Sequence, residues 1–414
     1  MIRKFLIFHC ITVLMTSSNA LAVECKNSVN ADDLLNCLLR EHPQVDVAGL
    51  GITVAQKNVD KASQRPNPQL QWQGTEEPGD VGIMNEFNLQ HTVELGGKQP
   101  ARVNFAKSEL TIQKIGAEAT FNRVKIDLIS QLYRLRQIFH EIEVIKENRS
   151  TFQRMISQYK RIGKLNPEQE ISVNVFRMAS EEVKLTLGQL ENERDQILAD
   201  FQVITGEEFT PNQKQLPELV HKWPNLRKED FNGPLVRQAK AQVDRANRQY
   251  ELEKSESWPD LSVGPRVVQI PGPQGGTFVG AAVNIPIPIL NVNGGGRASA
   301  LADKKRQEYR NRLVSRRIKA EANRLLKAYQ RSSQAYKTAR ESSDFHDKHT
   351  QLHKLINRGV VNPSMVIELH RQIIAFYQSL HSQELAAVRA RWEYNALLGS
   401  LADKKIKIQG VKNE

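Results

Sequence analysis

The chain has 414 residues, of which 40% are hydrophobic, 25% charged and only 6% aromatic, with a formal charge of +12. That balance suits long solvated helices better than a compact, aromatic-rich enzyme core. The positive charge is compatible with nucleic acid, an anionic membrane surface or acidic partners. No basic element interleaved with stacking aromatics is present, so nucleic-acid binding is not expected.

At the N-terminus, Arg3 and Lys4 precede an apolar run from Phe5 to Met15, and Ala20-Leu21-Ala22 supplies a small-x-small cleavage site. Residues 1–22 therefore read as a secretory signal peptide. A lipoprotein cut places cysteine directly after a small residue, whereas Cys25 follows Glu24, so lipid anchoring is disfavoured. Cys10 leaves with the signal. Cys25 and Cys37 remain in the N-terminal periplasmic segment 23–42, where an oxidising compartment permits their pairing. The alternative is that Cys37, inside DLLNCLL, is simply a small buried residue.

The rest of the chain is a duplication. Pro43 opens a helical stretch that ends before Pro66, and Pro68-Gln69-Leu70 then starts a strand; Pro234 and Pro259-Asp260-Leu261 repeat the pattern. Further on, RIGKLNPEQ matches NRGVVNPSM, with Gly163 against Gly359 and Pro167 against Pro363. The second copy carries about five extra residues, which are expected in the loop 271–276. The repeats span 43–206 and 234–399, separated by a linker at 207–233 and followed by a tail at 400–414.

Each unit reads helix, strand, strand, long helix, tight turn, helix. Ile83, Phe87, Leu89, Val93 and Leu95 alternate with polar neighbours, and an apolar alternation runs from Val279 to Ile289. Period two with one apolar face marks a half-buried strand, in a soluble hairpin or in a membrane barrel. Each second strand runs into glycines, Gly96-Gly97 and Gly294-Gly295-Gly296, which are expected to form the joint to the next helix. From Lys98 to Ile162 no proline follows Pro100, and Phe121, Val124, Leu128, Leu132, Leu135, Phe139, Ile142 and Ile145 recur three or four residues apart. Such a helix would be roughly 90 Å long, far beyond a globular domain. Four strands per chain cannot close a barrel in lipid, so a membrane-spanning role requires several chains to share one.

Known catalytic patterns are absent. Gly96-Gly97-Lys98 lacks the first glycine of a P-loop, since Thr92 stands there, and Gln99 follows the lysine where Ser or Thr is needed. His140-Glu141 lacks the second histidine of a zinc protease. Neither enzymatic activity nor a cofactor is expected.

With the duplicated unit, the P-x-L strand starts, VELGGKQPAR at the first joint and the glycine-containing turns, the mature chain resembles the TolC-like outer-membrane efflux family. It is most similar to the cation and heavy-metal branch. The resemblance implies a mainly α fold assembled as a homotrimer. A shared twelve-stranded β-barrel in outer-membrane lipid would continue into a periplasmic α-helical barrel. It implies two partners, a periplasmic adaptor and an inner-membrane pump of the resistance-nodulation-division type. The adaptor would dock on the tips Arg161-Ile162-Gly163-Lys164-Leu165 and Asn357-Arg358-Gly359-Val360-Val361. Glu368 would match one of two acidic positions that ring a closed pore, the other being Met365; the alternative is a solvated helix carboxylate. His346, His349 and His353 share one helix face, and His370 on the return helix is expected near their level. They form a transient metal site or a polar, solvated face.

Overall fold

The computed structural model describes residues 25–76, 82–226, 230–342, 362–399 and 401. The signal segment, most of the tail, the second tip and His346, His349 and His353 lie outside the described residues. The elements fall into two like units. The first holds α2 (Pro43–Ser63), β1 (Gln69–Glu76), β2 (Ile83–Val93), α3 (Lys98–Lys160) and α4 (Pro167–Thr205). The second holds α5 (Pro234–Ser255), β3 (Leu261–Ile270), β4 (Gly276–Asn284), α6 (Gly294–Ser342) and α7 (Pro363–Leu398). A short α1 (Ala31–Arg40) precedes both.

Proline starts these helices where its missing N–H is harmless. Pro43, Pro167, Pro234 and Pro363 all occupy the first helical turn. Before Pro167, Asn166 accepts from the Gln169 N–H at 2.8 Å while the Gln169 side chain accepts from the Asn166 N–H at 3.0 Å, a complete capping box. Asn362 repeats the cap before Pro363. The two Asn-Pro pairs are therefore helix starts.

α3 has 63 residues and packs against α2, α4, α5 and α7. Its stripe of Val124, Leu128, Leu132, Leu135, Ile142 and Ile145 is buried, with Phe121 and Phe139 packed at its edge. The same core takes in Leu34, Leu35 and Leu38 of α1, so the N-terminal segment is seated on the middle of α3. Cys25 and Cys37 are joined by a disulfide, and both are also buried in this core. The two readings of Cys37 thus hold together.

The four strands form one antiparallel sheet in the order β1-β2-β3-β4, so β2 and β3 join the two units. Trp72, Phe87, Val267 and Val279 stand in register across it, as do Gln71, Asn88, Arg266 and Gly280 on the other face. The apolar row faces outward: Leu70 is 72% and Val279 77% exposed, whereas Asn88 is 8% exposed. On the polar face Glu86 accepts from both Asn88 (2.6 Å) and Arg266 (2.6 Å), and the Thr92 and Ser262 hydroxyls lie 3.2 Å apart. A soluble sheet buries its apolar side; this one is inverted. Among the described residues, no strand pairs with the outer edge of β1 or β4.

The passage from strand to helix takes four residues in the first unit, 94–97, and nine in the second, 285–293. The extra length of the second unit lies there and not in the 271–276 loop. The strand expected to run to Ile289 stops at Asn284, because Pro286 and Pro288 have no N–H to give to a ladder.

Candidate functional site

The features that set a direction for this chain are its two joints, its first helix turn and the polar groups sealed between its helices. At the first joint both glycines are left-handed, Gly96 at φ 69° and Gly97 at φ 74°. A Cβ on Gly96 would lie 2.4 Å from Trp258, so the indole closes against bare backbone. Lys98, which follows them, is buried: its Nζ lies 2.8 Å from Asp260 and 3.7 Å from Glu256 of the second unit. Its charge is consumed in tying the units together. Arg102 braces the joint within the first unit, donating to Glu94 at 2.6 Å and to the carbonyls of Ala62 and Gln64.

The second joint is built differently from the expectation. Gly294, Gly295 and Gly296 lie in the first turn of α6, and the left-handed residue is Asn293, at φ 53°. Asn293 tolerates that conformation because its side chain is held locally. Its Nδ2 donates to the Glu253 carbonyl and carboxylate, each at 2.8 Å. A Cβ on Gly296 would lie 2.3 Å from Asn293 Oδ1 and 2.4 Å from Glu253 Oε2, so these two side-chain ends would have to shift to admit one. Gly294 and Gly295 face open space.

The first tip is the turn between α3 and α4. Arg161, Ile162, Gly163 and Lys164 are exposed, Leu165 is half-buried, and Gly163 takes φ 79°. The residues Arg358, Gly359, Val360 and Val361 lie outside the described residues, so the structure presents one tip. Glu368 is exposed on α7 and is engaged on its own helix, accepting from Gln372 at 3.0 Å and lying 3.6 Å from Arg371. Arg371 also lies 3.7 Å from Glu182 of α4.

His370 is not on an open face. It is fully buried, its Nδ1 lies 2.7 Å from the Val366 carbonyl, and its ring meets Phe152 edge-on at 5.5 Å. Its ring is part of the packing between α3 and α7. Among the described residues no group of three or more His, Cys, Asp or Glu is arranged to hold a metal ion.

Sequence reasoning missed a buried polar network at mid-height of α3. Glu193 of α4 receives Arg134 at 2.7 Å, Arg134 also reaches Glu141 at 2.9 Å, and Glu141 Oε1 lies 2.6 Å from His381 Nδ1 of α7. One turn away, the Arg136 guanidinium pairs with Glu384 of α7, which is fully buried and also accepts from Gln137 Nε2 at 2.8 Å. Arg136 further donates to the carbonyls of Pro217 and Glu218. Burial alone would raise the Glu141 carboxyl, but the His381 hydrogen bond and the Arg134 pair outweigh it and hold it below the usual carboxylate range. His140, whose ring sits 5.2 Å from that of His381, is lowered by burial and by that second imidazole. The only sequence signal was a run of charged residues on a helix whose apolar stripe was already accounted for.

Two like units, one inverted four-stranded sheet and helices of this length define a class, that of the TolC-like outer-membrane channels, and the chain has that fold. It aligns with crystal structures of CusC, reported in connection with transmembrane channel formation, at a TM-score of 0.70 and 12% identity, covering 90% of this chain and 93% of that one. The CmeC outer-membrane channel of Campylobacter jejuni gives 0.69 and 12%, covering 92% and 90%. The open MtrE channel of Neisseria gonorrhoeae gives 0.70 and 13%, covering 92% and 91%. In sequence the chain is similar to the cobalt-zinc-cadmium resistance protein CzcC of Cupriavidus metallidurans, at 26% identity over 287 residues, 64% of each chain. The match thus spans less than two thirds of that relative's length. No family model matches the chain.

Proposed function

We propose that the chain is the outer-membrane exit duct of a tripartite efflux system and that its cargo is heavy-metal cations. The observation that carries this reading is the inverted sheet with two unpaired edges. An apolar outer face suits lipid and a polar inner face suits a water-filled lumen. Open edges cannot remain in hydrocarbon, where each unpaired backbone group goes unsatisfied. Pairing β1 of one copy with β4 of the next removes both edges, and three copies give a twelve-stranded barrel. Among the described residues no helix is long and apolar enough to cross a membrane.

The long helices then line a periplasmic conduit. Energy comes from an inner-membrane pump of the resistance-nodulation-division type, joined through an adaptor that docks on the tip around Gly163 and its counterpart around Gly359. Three copies of Glu368 near the axis would favour cations. The metal cargo rests on the similarity to a cobalt-zinc-cadmium resistance protein. Fractionation tests the duct: recovery of the chain in the soluble periplasm without detergent would make it a coiled-coil scaffold instead. A deletion strain tests the cargo. It should become sensitive to zinc, cobalt or cadmium; normal metal tolerance with new antibiotic sensitivity would make it a drug duct.

A further inference from the structure

Between α3 and α7 runs a groove with two lobes that meet at Arg389. The upper lobe, about 390 Å³, is mainly apolar, walled by Ala119, Ile126, Leu235, Val236 and Ile318. The lower lobe, about 470 Å³, has more polar residues in its wall, among them Ser130, Gln137, Gln378 and Ser382. Positions 378, 382, 385, 389, 393 and 396 of α7 recur every three or four residues and form the groove's side of that helix. Glu384, which turns to the Val220 N–H, lies off that face.

Two amides in the groove wall carry atoms without a hydrogen bond. Asn122 is 4% exposed, and neither its Nδ2 nor its Oδ1 has a hydrogen bond; Gln137 is 1% exposed, and its Oε1 has none. Buried amides are ordinarily paired, and leaving them unpaired is unfavourable. A molecule entering the groove with an N–H donor would supply a bond that the Asn122 and Gln137 side-chain oxygens lack.

The lining also says what kind of molecule. Arg123, Arg134 and Arg389 are balanced by Asp127, Glu141 and Glu393. Arg389 already pairs with Glu393 at 2.8 Å and Arg134 with Glu141 at 2.9 Å. A metal cation or a small anion would find no net field and would have to break an existing pair. We propose that this groove binds a neutral amphipathic small molecule with an N–H donor, its apolar rings in the upper lobe and its N–H toward the unpaired amides. On the duct reading it is a resting place for a second class of cargo beside metals. The cargo role rests on the proposed duct function, whereas the binding does not.

The test uses the full-length chain in lipid nanodiscs and N-phenyl-1-naphthylamine, a neutral two-ring amine whose fluorescence rises in apolar surroundings. The wild type should show a saturable rise above the linear partition into empty discs. Asn122→Leu, which keeps the lobe apolar, should weaken it at least about tenfold, because a buried donor is left unmatched. Asn148→Leu, a buried amide of α3 outside the groove, should leave it unchanged, and excess zinc chloride should not displace the probe. Should Asn122→Leu fail to fold, Leu235→Arg, at a more exposed position of the upper lobe, should abolish saturation instead. Equal, unsaturable signals in all discs, or displacement by zinc, would overturn the proposal. The duct reading fails separately, through normal cargo tolerance in the deletion strain.

Discussion

Replacing Glu384 by alanine removes a carboxylate that is fully buried between α7, α3 and the 217–220 segment. Arg136, only 14% exposed along its side chain, then keeps its charge with no carboxylate beside it, and Gln137 Nε2 loses one of its two acceptors. Breaking a buried pair from one side costs about 3–5 kcal/mol, mostly the uncompensated charge left behind. Arg136 retains the Pro217 and Glu218 carbonyls, so the loss belongs near the lower end, about 3 kcal/mol. Removing both charges, in Arg136→Met with Glu384→Leu, should recover most of it, since a well-packed apolar pair avoids the desolvation of two ions. Denaturant unfolding of the helical region, followed by far-UV circular dichroism through the full double-mutant cycle, measures this coupling. A Glu384→Ala loss below about 1 kcal/mol, or a double variant no more stable than the single one, would refute the reasoning.

The remaining predictions concern the sheet, the joint and pH. Phe87→Arg and Val279→Arg, on the outward row, should sharply lower the yield of assembled protein in the outer membrane, at about 2–4 kcal/mol per charge near the bilayer centre. Gln73→Arg, across from Glu86 on the polar face, should assemble normally; equal yields for all three would mean the faces are assigned wrongly. Gly96→Ala should destabilise the joint, because it adds a Cβ 2.4 Å from Trp258 at a left-handed position, while Gly294→Ala meets open space and should be neutral or mildly stabilising. Comparing the two melting temperatures decides the point. The Glu141 and His140 values both lie below those of an unfolded chain, so the folded state binds fewer protons. Their contribution is complete above the unfolded values and is lost as pH falls, from about 6.5 downward for His140 and below about 4.5 for Glu141. Unfolding midpoints at pH 7.5 and 5.5 should therefore differ in favour of the higher pH, and His140→Gln should narrow the gap; an unchanged gap would exclude His140 as its source.

What was legible in the residues was whatever repeats. The Pro43 and Pro234 helix starts, the period-two strands and the long stripe of α3 each recur over many positions, so one misread residue cannot hide them. The joints were legible only as glycine clusters. Their mechanics differ, because a left-handed conformation can be met by glycine, as at Gly96 and Gly97, or by a locally held asparagine, as at Asn293. The strand end at Asn284 was misplaced because the Ile-Pro-Ile-Pro-Ile run keeps the outward alternation after the ladder has stopped. The Arg134–Glu141–His381 chain joins residues 7 and 240 positions apart, and nothing in either neighbourhood points to the other.

The inverted sheet also has a thermodynamic consequence. Its polar face already carries the Glu86–Arg266 pair and the Thr92–Ser262 contact, so that side is settled within one chain. The outward face is not: Leu70, Val279 and Val283 stay exposed, and among the described residues no strand lies on the outer edges of β1 and β4. On the proposed duct reading, lipid would satisfy the first deficit and strand pairing between copies the second, and neither would substitute for the other. The helical half has its own core around α3, closed by α1 and the Cys25–Cys37 link. The two halves should accordingly unfold separately, with only the sheet responding to protein concentration and lipid. A single concentration-independent transition for the whole chain would show that the strands are held by the helices and not by their neighbours.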